Sequence, residues 1–251
     1  MKKFEIPYMP INEETNKKFI DFFSKRKENI ECIYTPSYIR DGINTRVEDG
    51  NFSHDFDEYL YLLNEVKKHF PIEILIQKNC SKEIIQKYYS LEFKRFTIND
   101  DTLAKQLKTK YDDIILTLSI TRLLHHEDIF NLDLSCYDYI VLDYRYNRQI
   151  SLLKELPKKY NYVLLVNSSC NYKDRTLCPL HWFDFKNYKD CKKLLKDSSK
   201  IYPLDLIYFD NYVHHYKLQG REYFSFENPD NFLRLEILSY LRNNIDFYDL
   251  K

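Results

Sequence analysis

Three cysteines and a histidine stand close together in the segment VLLVNSSCNYKDRTLCPLHWFDFKNYKDC, at Cys170, Cys178, Cys191 and His181. Thiolates and imidazole are the donors that zinc and iron–sulfur clusters prefer, and one loop can fold such groups around a single centre. No CxxC pair is present in it, so the spacing is neither that of a zinc finger nor that of a ferredoxin run. The same thiols also read as buried packing groups, because free cysteine behaves as a small hydrophobe. Cys32, Cys80 and Cys136 sit in or beside apolar runs and read as packing residues, with Cys32 the remote candidate for a further ligand. The pairs His125–His126 and His214–His215 are consecutive, so on regular structure their rings diverge and their roles are read as structural.

These groups need elements to position them. Short β-branched runs alternate with longer amphipathic stretches along the chain. The strands expected are Glu31–Tyr34, Glu73–Ile76, Arg95–Ile98, Asp113–Leu118, Tyr139–Asp143, Tyr162–Val166, Ile201–Tyr202 and Val213–Leu218. Near-continuous apolar runs of this length fit strands covered on both faces of a parallel sheet. Helices are expected over Phe56–His69, Ser81–Tyr89, Asp101–Lys110, Arg148–Leu156, Tyr188–Lys196 and Pro229–Arg242. Strands alternating with helices imply right-handed βαβ units. The count favours a TIM-like (β/α) barrel, complete or irregular, over an open doubly wound parallel sheet. With no linker-like stretch to divide residues 1–251, one barrel-like domain is the simplest organisation.

In such a barrel the chemistry sits where strands end. The polar residues at those ends are Ser37, Arg40, Asn79, Asn99, Ser119, Arg122, Asp143, Arg145, Asn167, Ser168, Lys217, Gln219 and Arg221. Among them Arg145, Lys217 and Arg221 are the candidates to bind an anionic small molecule, since arginine pairs two carboxylate oxygens through its planar fork. Each also reads as a local ion-pair or capping residue.

Composition narrows the function classes. Lys+Arg and Asp+Glu both number 38, so the chain lacks the global positive field of a protein that grips phosphate backbones, while a local basic patch stays open. None of the glycines forms a GxGxxG or GxxxxGK loop, and HExxH and GxSxG are absent too. The N-terminal MKKFEIPYMPINEET has no apolar h-region, and no apolar run approaches a membrane span. A cytoplasmic protein with reduced thiols is expected, without membrane contact.

Two stretches together, LLVNSSC…CPLHWF and IYPLDLIYFDNYVHHYKLQGRE, resemble the collagenase-like peptidase family, peptidase family U thirty-two. There an apolar strand leads into a cysteine loop, and a Lys-Ile-Glu-Gly-Arg strand end follows an Asp-Leu turn. Tyr216–Arg221 is similar to that strand end with Gln219 in place of the glutamate, and Pro203–Leu206 to the turn. The resemblance implies a TIM-like barrel and, as in several members, a [4Fe–4S] cluster with Cys170, Cys178 and Cys191 in the cluster-binding region. It departs at the fourth cysteine, where this chain has Leu204, Leu206 and Ile207, so His181, Cys32 or an outside ligand must complete the site, or else zinc or no metal is bound.

What the resemblance implies for function is an iron–sulfur-dependent, oxygen-independent hydroxylase-like enzyme acting on a small molecule or nucleobase. A peptidase of undefined mechanism and a non-catalytic subunit that binds a partner enzyme are the alternatives.

Overall fold

Several helices begin where a short polar side chain closes the first turn. Asn12, Asp55, Ser81 and Asp100 accept hydrogen bonds from the backbone N–H of Thr15, Glu58, Ile84 and Leu103. Each satisfies a donor that the start of a helix leaves open.

The computed structural model describes residues 2–39, 42–43, 55–76, 80–122, 124–147, 149–167, 200–219 and 232–242. The strands are β1 (Phe4–Pro7), β2 (Ile30–Pro36), β3 (Ile72–Leu75), β4 (Arg95–Ile98), β5 (Ile115–Leu118), β6 (Tyr139–Leu142), β7 (Tyr162–Leu165) and β8 (His215–Lys217). The helices are α1 (Glu13–Ser24), α2 (Phe56–Lys67), α3 (Lys82–Ser90), α4 (Asp101–Lys110), α5 (His126–Asn131), α6 (Ile150–Glu155) and α7 (Phe232–Leu241). The eight strands form a closed, all-parallel barrel in chain order, with β8 pairing back onto β1. It is a TIM-like α/β barrel. A small antiparallel pair, Tyr38–Ile39 with Gly42–Ile43, stands beside it. No helix among the described residues is long and apolar enough to cross a membrane.

The main core lies between the strands and the outer helices. Phe4, Ile33, Ile74, Phe96, Leu116 and Leu164 point outward and are fully buried, as are Phe19 and Phe23 of α1 and Leu63 and Val66 of α2. Tyrosines share this layer because their hydroxyls find backbone acceptors. Tyr59 donates to the carbonyl of Pro36 at 2.5 Å, and Tyr240 to that of Ile201 at 2.6 Å.

The strand count matches expectation through two offsetting differences. Phe4–Pro7 is a strand that its sequence hides, because the second residue of its four is a glutamate. Ile201–Tyr202 is not a strand. Ile201 N–H does bond the Val166 carbonyl at 2.8 Å, but Pro203 then starts a 3₁₀ helix that runs to Tyr208. Helices α1 and α5 were not expected. The predicted helix Tyr188–Lys196 lies outside the described residues.

Candidate functional site

Strand residues alternate between the two faces of a sheet, and partners in a parallel ladder share a face. Glu5 pairs with Lys217 on one side and Cys32 on the other. Following the register around the ring, Tyr34, Glu73, Arg95, Thr97, Thr117, Tyr139, Val163, Leu165 and His215 also turn inward. Barrel interiors of this kind are usually filled by branched apolar side chains. Here a belt of charge runs through the middle.

Glu5 is the hub and is 0% exposed. Lys217 Nζ donates to its Oε2, and His215 Nε2 lies 2.6 Å from its Oε1. Lys217 Nζ also approaches Glu73 Oε1 at 3.6 Å and sits 4.0 Å from the centre of the Tyr34 ring. Glu73 accepts from the Thr97 hydroxyl and, at 3.1 Å, from that of Thr117. Arg95 Nε reaches Glu73 Oε2 at 3.8 Å.

Below this belt the β1–β2 ladder slips by one residue between Phe4 and Glu5, so Glu31 has no ladder partner. Such a bulge re-aims a side chain. Glu31 accepts from both terminal nitrogens of Arg95 at 3.1 Å, and Lys3 stands 3.4 Å away.

The electrostatics follow from this packing. Burial works to raise the Glu5 pKa, but the Lys217 charge and the His215 hydrogen bond outweigh it and hold the carboxyl down at about 2. Burial works to lower the Lys217 pKa, and Glu5 and Glu73 overcome it, so the ammonium is kept charged. Burial, reinforced by Glu73 and Glu5, pushes the Cys32 thiol well above its ordinary value.

Oxygen and sulfur atoms of Glu5, Cys32 and Glu73 lie within 4.8 Å of one another, a spacing that could hold a metal ion. The cation among them in this structure is the Lys217 ammonium, bound to one carboxylate and close to the other. A thiol held protonated is also a weak ligand. The cluster is therefore a buried ion network organised around a lysine.

Of the residues singled out from sequence, Lys217 is brought into this network, turned inward instead of standing on the open rim. Arg145 is held in the 3₁₀ turn Tyr144–Asn147 after β6, donating to the Leu124 carbonyl at 2.7 Å beside Asp143 at 3.7 Å. Ser37, Asn99, Ser119 and Asp143 directly follow strands and Asn167 and Gln219 stand two residues beyond theirs, so they share the C-terminal end of the barrel. Asn167 clamps Gln219, accepting from its N–H at 2.8 Å and donating to its carbonyl at 2.9 Å. Arg122 pairs with Asp101 at 3.3 Å. Cys170, Cys178, Cys191, His181, Arg221, Arg40, Asn79 and Ser168 lie outside the described residues.

Glu5, Glu73, Arg95 and His215 were missed as site residues. For Glu5 and Glu73 the available signal was a charged residue inside an otherwise apolar strand, while Arg95 and His215 open their strands and carried no such signal. The histidine pair also differs from expectation. His214 Nδ1 and His215 Nδ1 are 3.0 Å apart, because His214 precedes the first residue of β8 and strand alternation does not yet separate the rings.

Fold and site together define a TIM-like β/α barrel with a charged, lysine-centred interior. No protein-family model, curated protein or solved structure matches the chain.

Proposed function

We propose that the protein is a β/α-barrel enzyme that modifies a small molecule entering from the C-terminal end of the barrel, with the inward-turned Lys217 ammonium as its positive charge. The observation that carries this reading is the Glu5–Lys217–Glu73 cluster, buried at the end of β8. Replacing such a buried network by apolar packing is often neutral or stabilising, so it earns little for the fold itself. An ammonium has three N–H donors. Among the described residues it meets Glu5, Glu73 at longer range and the face of Tyr34. Of these contacts the one to Glu5 is a hydrogen bond, so among the described residues a donor is left to meet a carbonyl or carboxylate oxygen of a substrate and to stabilise negative charge developing there. Arg221, two residues beyond Gln219 in the strand-end motif, would supply a second cation to an anionic substrate. Arg145 would act by fixing the loop after β6.

The test follows the Lys217 Nζ resonance by NMR while acetate or inorganic phosphate is titrated to millimolar concentrations. A saturable shift in the wild-type protein is expected. An unmoved Lys217 resonance with both probes overturns the assignment.

A second reading adds an iron–sulfur centre held by Cys170, Cys178, Cys191 and His181, as the resemblance to the collagenase-like peptidase family implies. It is favoured by the anchoring of both flanks of that segment at the same end of the barrel. Asn167 follows β7 and clamps Gln219, and Ile201 N–H bonds the Val166 carbonyl. Such a centre would supply single electrons for an oxygen-independent hydroxylation. Anaerobic purification with iron and acid-labile sulfide analysis tests it. Iron and sulfide that disappear in Cys170→Ala and Cys178→Ala support it, and a colourless wild-type protein without iron or sulfide sinks it.

A further inference from the structure

The charged interior reaches from the N-terminal end of the barrel to the buried Lys217. His214, exposed, stands before β8 at the N-terminal end, and Lys217 closes β8 at the C-terminal end. Between them the polar contacts are continuous: His214 Nδ1 to His215 Nδ1 at 3.0 Å, His215 Nε2 to Glu5 Oε1 at 2.6 Å, and Glu5 Oε2 to Lys217 Nζ. His215 and Glu5 are both buried.

With both imidazoles neutral, the directions of these bonds follow from chemistry. An ionised carboxylate only accepts, so His215 Nε2 carries the hydrogen shared with Glu5. In neutral His215 the other nitrogen, Nδ1, is then an acceptor, so His214 Nδ1 is the donor to it. A neutral His214 with its hydrogen on Nδ1 leaves the lone pair of Nε2 free to take a proton. Both donors therefore point inward, from the solvent-side histidine to the central carboxylate.

We infer that His214, His215 and Glu5 form a proton path from solvent at the N-terminal end of the barrel to Lys217 in its interior. Water gives a proton to His214 Nε2 and is left as hydroxide in the solvent, where the proton released beyond Lys217 later neutralises it. The Nδ1 proton of His214 passes to His215 Nδ1, and the Nε2 proton of His215 passes to Glu5 Oε1. Each ring gains one proton and loses one, and the carboxylate becomes a carboxylic acid. Once Lys217 has given a proton to a water or substrate oxygen on its C-terminal side, a turn of the carboxyl about Cγ–Cδ presents this one to the neutral amine. The ammonium and the carboxylate are restored, and a half-turn of each imidazole returns the hydrogens to their starting positions.

The groups facing the path favour its direction. Glu31, 3.1 Å from Arg95, and Lys3 lie towards the histidine end, with the Tyr139 ring 5.0 Å from both imidazoles. Glu73, Cys32 and Tyr34 surround the lysine end. Glu5 and Glu73 stabilise the charged form of Lys217, so a lysine that has lost a proton is driven to recover one.

This inference extends the reading of Lys217 as the cation of the site, and its test needs no substrate. NMR of substrate-free protein labelled with ¹⁵N at lysine Nζ measures how fast the Lys217 ammonium hydrogens exchange with water. His214→Gln keeps a side-chain donor towards His215 but cannot relay a proton, and the residue is exposed, so the fold is retained. Exchange at Lys217 is expected to slow by roughly tenfold or more in His214→Gln, the scale on which a positioned proton-transfer group acts. His215→Gln is expected to do the same with an unchanged ¹⁵N shift at Lys217. Equal exchange in wild type and His214→Gln means that protons reach Lys217 from the C-terminal end, and overturns the path. That outcome leaves the substrate reading standing, because the oxyanion titration tests it separately.

Discussion

Lys217→Met removes the positive charge from between Glu5 and Glu73 while keeping a side chain of similar length. In the wild-type protein the Glu5 carboxyl is held at about 2 against an ordinary value of 4.5, which corresponds to roughly 3 kcal/mol of favourable interaction in the ionised state. Losing one partner of a buried ion pair typically costs about 3–5 kcal/mol, because the remaining charge is left uncompensated. A destabilisation in that range is expected at neutral pH, read from urea unfolding followed by circular dichroism.

The pH dependence should invert as well. A carboxyl depressed in the folded state contributes stability above its unfolded pKa and loses it as pH falls, here between 4.5 and about 2. Without Lys217, burial dominates at Glu5 and lifts the folded pKa above the unfolded one. The variant should then gain stability on acidification through that folded pKa, while the wild type loses it at lower pH. Glu5→Gln combined with Lys217→Met should recover much of the loss, since the two residues form one unit. A Lys217→Met cost below about 1 kcal/mol, or two acid profiles running parallel, would refute the ion-network reasoning.

Two other expectations rest on groups away from that pair. Asn16 is buried on α1, accepts from the Tyr8 hydroxyl and donates to the Leu62 carbonyl at 2.7 Å. Asn16→Ala strands both partners and should cost about 1–3 kcal/mol in chemical denaturation, and a near-neutral result would contradict the packing of α1 on α2. Burial and its two carboxylate neighbours keep the Cys32 thiol protonated, and burial pushes Cys80 up to about 11. Iodoacetamide at neutral pH should therefore label Cys32 only as fast as the protein opens. Peptide mass spectrometry showing Cys32 modified as quickly as an exposed thiol would disprove that placement.

Much of the architecture was legible along the chain. The run Arg95–Ile98 coincides with the observed strand, and Glu73–Ile76, Tyr139–Asp143 and Tyr162–Val166 match theirs to within one residue at either end, because continuous apolar character marks a strand covered on both faces. Polar N-caps such as Ser81 and Asp100 announce the helices that follow them. Lys217 was also legible, as a charged residue near the end of an expected strand. The cysteine segment attracted notice by residue type alone, and types do not fix where donor atoms meet.

What the sequence by itself determined is the alternation of strand and helix, and with it a parallel barrel whose strand ends share one rim. The tertiary structure decided what fills that barrel. Glu5 hides in FEIP, where one inward position of a short strand is charged and the outward ones are apolar. It lies 212 residues from Lys217. No local pattern links the two, because their contact exists only when the last strand closes on the first. Closure removes both side chains from water, so each becomes the other's necessary partner, and the lysine changes from a candidate on the rim into the charged centre of the barrel.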